Sequence, residues 1–235
     1  MPSTRTILTA LALSAVLPAT VAQAADTSAK ISPSFSPNHS GANASFTLKA
    51  QLHGGPDGIP ERLSKVVVRL PAGMGLDPSG ARTCSLSRLR ASGPHACPSG
   101  SRIGSGSSLL ASHLGSQDIE ESADLTVFRV PNQNGHPTFA ISGQGYTPLY
   151  QRVTFTGQVL SDHAPYSRQI VTSIPAIPTL RGEPNASVLS YSLKFASPMK
   201  ITVPRSCPAG GFRFGASFTF VSQLASSTTA TARCP

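Results

Sequence analysis

The chain lacks tryptophan and has few charged residues. Lysine, arginine, aspartate and glutamate make up 12% of its 235 residues, about half the share usual in soluble domains. Acidic residues are the scarcest, with 10 against 19 lysines and arginines, so the net charge is +9. Because 39% of the residues are hydrophobic, this composition excludes both a highly charged disordered chain and a polytopic membrane protein. The 20 glycines and 21 prolines favour many short elements joined by turns.

A long hydrophobic run is also missing. The apolar stretch at residues 7–17 is too short for a stable membrane anchor, which needs about 20 residues. A basic start precedes it, and Ala22-Gln23-Ala24 follows. This order predicts a signal peptide over residues 1–24, cleaved after Ala24; a buried first helix is the alternative. We therefore expect an exported protein, secreted or associated with the cell wall, with no membrane span in the mature chain.

Cysteine is rare, and its use agrees with export. The four cysteines are Cys84, Cys97, Cys207 and Cys234, an even number that favours disulfides in an oxidising compartment. Three pairings are open to four cysteines, and proximity in the sequence favours Cys84–Cys97 and Cys207–Cys234. A zinc site is the rival interpretation, but the chain has no CxxC, and the H-x-C at His95 matches no common ligand spacing.

Alternating apolar residues predict β-strands throughout the chain. The predicted strands cover residues 44–52, 63–70, 125–130, 138–142, 151–160, 188–195, 211–221 and 226–233. In residues 188–195, Leu189, Tyr191, Leu193 and Phe195 are expected to share one face. About ten to twelve short strands predict an all-β, antiparallel sandwich of immunoglobulin-like or jelly-roll type. One short helix is predicted at residues 85–91, inside the first disulfide loop.

The remaining segments suggest loops and a boundary. Residues 100–108 and the acidic residues 118–124 are expected to be loops, and the acidic group could bind Ca²⁺ through its oxygens. Composition changes near residue 115, which divides the mature chain into residues 25–115 and residues 116–235. Two small subdomains or one continuous domain both fit this pattern.

Several short motifs carry a family resemblance. They are Leu70-Pro71-Ala72-Gly73, then Cys84 with its short helix, then the segment from Cys97 to Gly106 (CPSGSRIGSG), and finally Cys207-Pro208 with the ending Cys234-Pro235. This pattern resembles a family of uncharacterised secreted proteins of actinobacteria, with LPxG, C…CPxxSxIGxG and PxxCP…CP segments. The resemblance implies an exported, envelope-associated β protein, and it supplies no catalytic residue.

Catalytic motifs are absent from the sequence. A nucleophile elbow, GxSxG, does not occur. Ser197 and Lys200 form an S-x-x-K, but that motif needs a helix and Pro198 argues against one. The six histidines show neither HxH nor HxxxH spacing. We therefore expect a protein that is not an enzyme and has no metal or cofactor, with an exported hydrolase as the least favoured alternative.

A group of arginines is the first candidate binding site. Arg82, Arg88, Arg90 and Arg102 bracket the first disulfide loop with no acidic residue among them. Such a surface would attract an anionic cell-envelope polymer or another surface protein by long-range electrostatics; solubility alone is the alternative. Nucleic acid is not an expected partner, because no known nucleic-acid-binding motif accompanies these basic residues.

Three tyrosines form the second candidate site. Tyr146, Tyr150 and Tyr166 lie in predicted loops, where exposed rings could stack on sugars. We expect a non-catalytic surface protein with a structural or adhesive role, and a secreted ligand- or carbohydrate-binding module as the alternative.

Overall fold

The computed structural model describes residues 27–54, 57–146 and 150–234. The predicted signal peptide and its cleavage site after Ala24 lie outside these residues. Among the described residues, no helix is long and apolar enough to cross a membrane. Nearly all of the secondary structure is antiparallel β, with one α-helix and one 3-10 turn in the described part.

The strands and the helix are numbered in chain order. They are β1 (Ser28–Ser36), β2 (Asn43–His53), β3 (Leu63–Pro71), β4 (Gly75–Asp77), α1 (Leu86–Ser92), β5 (Arg102–Leu114), β6 (Gln117–Gln133), β7 (His136–Gly145), β8 (Arg152–Ser161), β9 (Tyr166–Ser173), β10 (Ser187–Phe195), β11 (Lys200–Thr202), β12 (Phe212–Phe220) and β13 (Ala225–Ala232).

All of these strands join one large sheet. Its order is β13-β12-β3-β9-β8-β7-β6-β5-β10-β2-β11-β4, and β1 pairs with the other edge of β2. The sheet folds over on itself so that β1 and β13 lie beside each other. The predicted antiparallel, sandwich-type all-β fold with one short helix in a disulfide loop is therefore confirmed, with its two layers formed by one continuous sheet.

The inner face of the sheet carries the apolar half of each alternating strand. Phe46 on β2 stacks on Phe214 of β12, with ring centroids 5.3 Å apart, and Phe35 of β1 contacts Phe212 edge-on at 5.9 Å. These rings join strands distant in sequence, because alternation gives each strand one face to bury. Alternate residues of β12 all face this core: Phe212, Phe214, Ala216, Phe218 and Phe220 are buried.

Both predicted disulfides are confirmed, and they exclude the zinc interpretation. Cys84 bonds Cys97, and Cys207 bonds Cys234. The first bridge closes a loop that holds α1 against the outer face of the sheet. Under this loop, Leu89 of α1 packs on Phe128 and Ala140 in a small second core.

Four details differ from the sequence-based expectations. Residues 100–108 and 118–124 were expected to be loops, but they lie mostly in β5 and entirely in β6. The strands predicted to end at residue 130 and to begin at residue 138 extend to Gln133 and His136, because Asn134 and Gly135 both adopt positive φ and turn the chain in two residues. Leu189 leaves the inward face because a bulge between Val188 and Ser190 shifts the register. Residue 115 lies in the turn between β5 and β6, which pair along their length.

Candidate binding cleft

A cleft of about 530 Å³ lies on the outer face of β5, β6, β7 and β8. Its floor is formed by the outward residues of these strands, and the disulfide loop borders it through Pro94 and His95. Because strand residues alternate between faces, this floor is polar, while the inner face of the same strands is apolar. The floor residues are Ser105, Asp124, Thr126, Ser142 and Gln144.

Two tyrosines stand at one side of the cleft. Tyr146 is 54% exposed and Tyr150 is 76% exposed. Their rings contact each other edge-to-face, with centroids 6.3 Å apart. Exposed aromatic rings are removed from water only when a ligand or a partner covers them. This pair can therefore bind a flat apolar group.

Two arginines line the same cleft. Arg102 begins β5 and Arg152 begins β8, and both are exposed. The Arg152 guanidinium donates long hydrogen bonds of 3.5 Å to the carbonyl oxygens of Arg90 and Ala91, at the end of α1. Asp124 is the carboxylate among the lining residues. Arginine presents planar donors suited to carboxylate and phosphate oxygens, so the cleft can bind an anion.

The floor also offers an unused hydroxyl. Ser142 is 1% exposed, and among the described residues its Oγ has no hydrogen-bond partner. Buried polar atoms are nearly always paired with protein or water, so this hydroxyl is available to a ligand or a water in the cleft. Beside it, the Gln144 amide nitrogen donates to the carbonyl oxygens of Gly145 and Gln151, at 2.8 and 3.2 Å. These bonds hold together the ends of the segment that carries both tyrosines.

The structure brings together part of each predicted site. Arg102 from the arginine group and Tyr146 and Tyr150 from the tyrosine group line one cleft. Arg88 and Arg90 are exposed on or beside α1, which borders the cleft, but they do not line it.

Arg82 and Tyr166 lie elsewhere. The Arg82 amide donates to the Gly100 carbonyl at 2.9 Å, at the base of the disulfide loop. Tyr166 begins β9, where Arg69 lies 5.9 Å from its ring centroid. Tyr166 therefore does not line the cleft with the other two tyrosines, because β8 carries the chain along the sheet between them.

Sequence reasoning missed Arg152, Ser142 and Gln144. Arg152 begins β8, and Ser142 and Gln144 alternate with inward residues of β7, so each has the pattern of an ordinary outward position. They could have been found by listing the outward positions of β7 and β8 and asking which of them lie beside the arginine-rich disulfide loop.

The residues of the S-x-x-K motif do not form a catalytic group. Ser197 and Pro198 lie in the turn between β10 and β11, and Lys200 begins β11, so no helix aligns the serine with the lysine. In the described ranges, no cluster of three or more His, Cys, Asp or Glu residues could hold a metal ion.

Comparisons with known proteins give no further identification. No protein-family model matches the chain, no curated protein matches it, and no solved structure matches it. The resemblance to secreted actinobacterial proteins therefore stays a prediction.

Proposed function

We propose that this is an exported, non-catalytic binding protein of the cell surface, whose cleft binds an anionic saccharide polymer of the cell envelope. The observation that carries the proposal is the placement of the exposed Tyr146–Tyr150 pair beside Arg102 and Arg152 in one cleft. Aromatic rings suit the apolar faces of sugar rings, and guanidinium groups suit carboxylate or phosphate substituents.

The polar floor supports a saccharide over a simple polyanion. Ser142 has a free hydroxyl among the described contacts, and Asp124 can accept hydrogen bonds from sugar hydroxyls. A purely electrostatic site would gain nothing from a carboxylate among its cations. The structural or adhesive role predicted from the sequence is then a consequence of holding such a polymer.

Three soluble polymers separate the contributions of sugar and charge. Polygalacturonate is anionic and sugar-based, dextran is a neutral saccharide, and poly-glutamate is an anion without sugar. We expect the purified protein to bind polygalacturonate most tightly at 0.1 M salt. Some of this affinity should remain at 1 M salt, where the Debye length falls from about 10 Å to about 3 Å. Poly-glutamate binding should be lost at 1 M salt.

Matched variants assign the binding to the cleft. Replacing Tyr146 and Tyr150 by alanine should lower the affinity for polygalacturonate at least tenfold at both salt concentrations. Replacing Arg102 and Arg152 by glutamine should remove the preference for polygalacturonate over dextran. The controls are Tyr166→Ala and Arg82→Gln, which lie outside the cleft and should bind as the parent does. Equal binding of poly-glutamate and polygalacturonate at 1 M salt, or unchanged binding by the tyrosine variant, would contradict the proposal.

A further inference from the structure

A second cavity lies inside the fold, on the opposite face of the same strands. It has a volume of about 110 Å³ and is lined by inward residues of β2, β3 and β5 to β10 and by the loop between β9 and β10. A group the size of a water molecule needs roughly 10–15 Å³ of such a cavity, so the volume holds about seven to eleven groups of that size. Its walls are almost entirely apolar, including Leu125, Ile141, Val153, Phe155 and Leu193.

The residues that line the cavity extend far along the strands. Along β7 its lining runs from Phe139 to Gly145, and six residue steps of an antiparallel strand span about 20 Å. A volume of this size spread over that length is a thin bore. Gly143 and Gly145 provide part of the space, because they place no side chain on the inner face of β7. Gly143 lies opposite Val153 of β8.

The two ends of the bore differ chemically. At one end, Phe139 and Phe195 meet edge-to-face with centroids 5.7 Å apart, and the Phe139 ring occupies the space beside Gly157. At the other end, past Gly145, the lining includes the buried Glu121 and Gln151. The bore therefore has an aromatic closed end and a polar end.

A half-buried phenol lies between the two ends. Tyr191 of β10 lines the bore, opposite Ser108 in the register of β5. Burial raises the pKa of the Tyr191 phenol, so the group stays neutral and can donate a hydrogen bond at all physiological pH values.

From this geometry we infer that the bore binds one unbranched acyl chain of roughly ten carbons, carrying an uncharged, hydrogen-bonding head group. Apolar cavities of this kind stay dry and take apolar molecules, and their thin shape selects a linear chain over a compact one. The tail lies toward Phe139 and Phe195, and the head lies near Glu121 and Gln151. A carboxylate head is disfavoured, because no Lys or Arg is among the described lining residues to pair with its charge in these apolar surroundings.

Three ten-carbon probes test the shape and the head group. These are 1-decanol, decanoate and 1-adamantanol, which has the same number of carbons in a compact cage. Binding to the purified protein is measured by calorimetry, and the inward methyl groups are followed by NMR. We expect 1-decanol to bind at least tenfold more tightly than decanoate or 1-adamantanol, with shifts at Leu125, Ile141 and Val153. Equal binding of 1-adamantanol and 1-decanol, or no binding of 1-decanol, would overturn the inference.

Filling the bore gives the matching mutational test. Val153→Phe puts a ring into the space opposite Gly143, and Ala123→Leu narrows the same stretch from β6. Each should lower the 1-decanol affinity at least tenfold. The control is Val171→Phe, the same substitution on a half-buried outward position of β9, which should bind 1-decanol as the parent does. If both filling variants melt cooperatively and still bind 1-decanol normally, the ligand does not occupy the bore.

Discussion

The two faces of strands β5 to β8 carry opposite chemistries through a single layer of backbone. On the outer face, Ser142 and Arg152 line a polar cleft, while on the inner face their neighbours Ile141 and Val153 line an apolar bore. The two-residue repeat of a strand makes this possible, because successive side chains point to opposite sides. A single stretch of sequence can thus build two sites on opposite faces of one sheet.

The two sites also differ in how they are held. The bore is built mostly from paired strands, with the loop between β9 and β10 lining one part, so most of its walls are fixed by backbone hydrogen bonds and by packing around rings such as Phe139. The cleft depends on a covering loop, since α1 and His95 reach its edge through the Cys84–Cys97 bridge. Substitutions in the bore should therefore mainly lower the free energy of unfolding, and substitutions in the cleft should mainly weaken polymer binding.

The largest effect is expected from removing the aromatic end of the bore. Phe139→Ala should lower the free energy of unfolding by about 3–5 kcal/mol, because it deletes a buried ring and leaves a void. The comparator on the outer face of the same strand is Gln144→Ala, which should change stability by no more than about 0.5–1 kcal/mol. Urea unfolding of both variants measures the difference. Similar losses would mean that the two faces contribute alike to stability.

A smaller but still large effect is expected from opening the first disulfide. Replacing Cys84 and Cys97 by serine should cost about 3 kcal/mol by the loop-closure model. It should also weaken polygalacturonate binding, because α1 and its contact with Arg152 are no longer clamped over the sheet. Binding of 1-decanol should not change under conditions where the variant is folded. Loss of both binding activities in a folded variant would show that the loop supports the bore as well.

The smallest effect is expected at the unused hydroxyl. Ser142→Ala removes a buried hydroxyl that has no partner among the described residues, so it should leave the free energy of unfolding unchanged or raise it by up to about 1 kcal/mol. Polygalacturonate affinity should fall only a few-fold. A loss of more than about 1 kcal/mol, measured by urea unfolding, would mean that the hydroxyl bonds within the fold instead.

The sequence predicted the strands whose apolar residues alternate cleanly, and it missed those that are polar or interrupted. β12 was predicted because four phenylalanines mark its inner face. β1 was missed because Pro33 interrupts its pattern, yet a proline is tolerated there because β1 has a hydrogen-bonded partner only in β2. β5 was missed because glycine and serine fill its first half.

The candidate sites were only partly predictable, for a different reason. The pairing of cysteines follows from short loops, and both bridges were found. The cleft combines Arg102 with Tyr146 and Tyr150, which are more than forty residues apart, and only the sheet order brings them together. The bore was not predictable, because its volume depends on which side chains face each other across the folded sheet.

The most direct test of these two back-to-back sites uses two adjacent residues of β8. Arg152→Gln changes the outer face and Val153→Phe changes the inner face of one strand. Polygalacturonate and 1-decanol affinities are measured for both variants at 0.1 M salt. We predict that Arg152→Gln weakens only polygalacturonate binding and that Val153→Phe weakens only 1-decanol binding. If either folded variant loses both ligands to the same extent, the two faces do not act as separate sites.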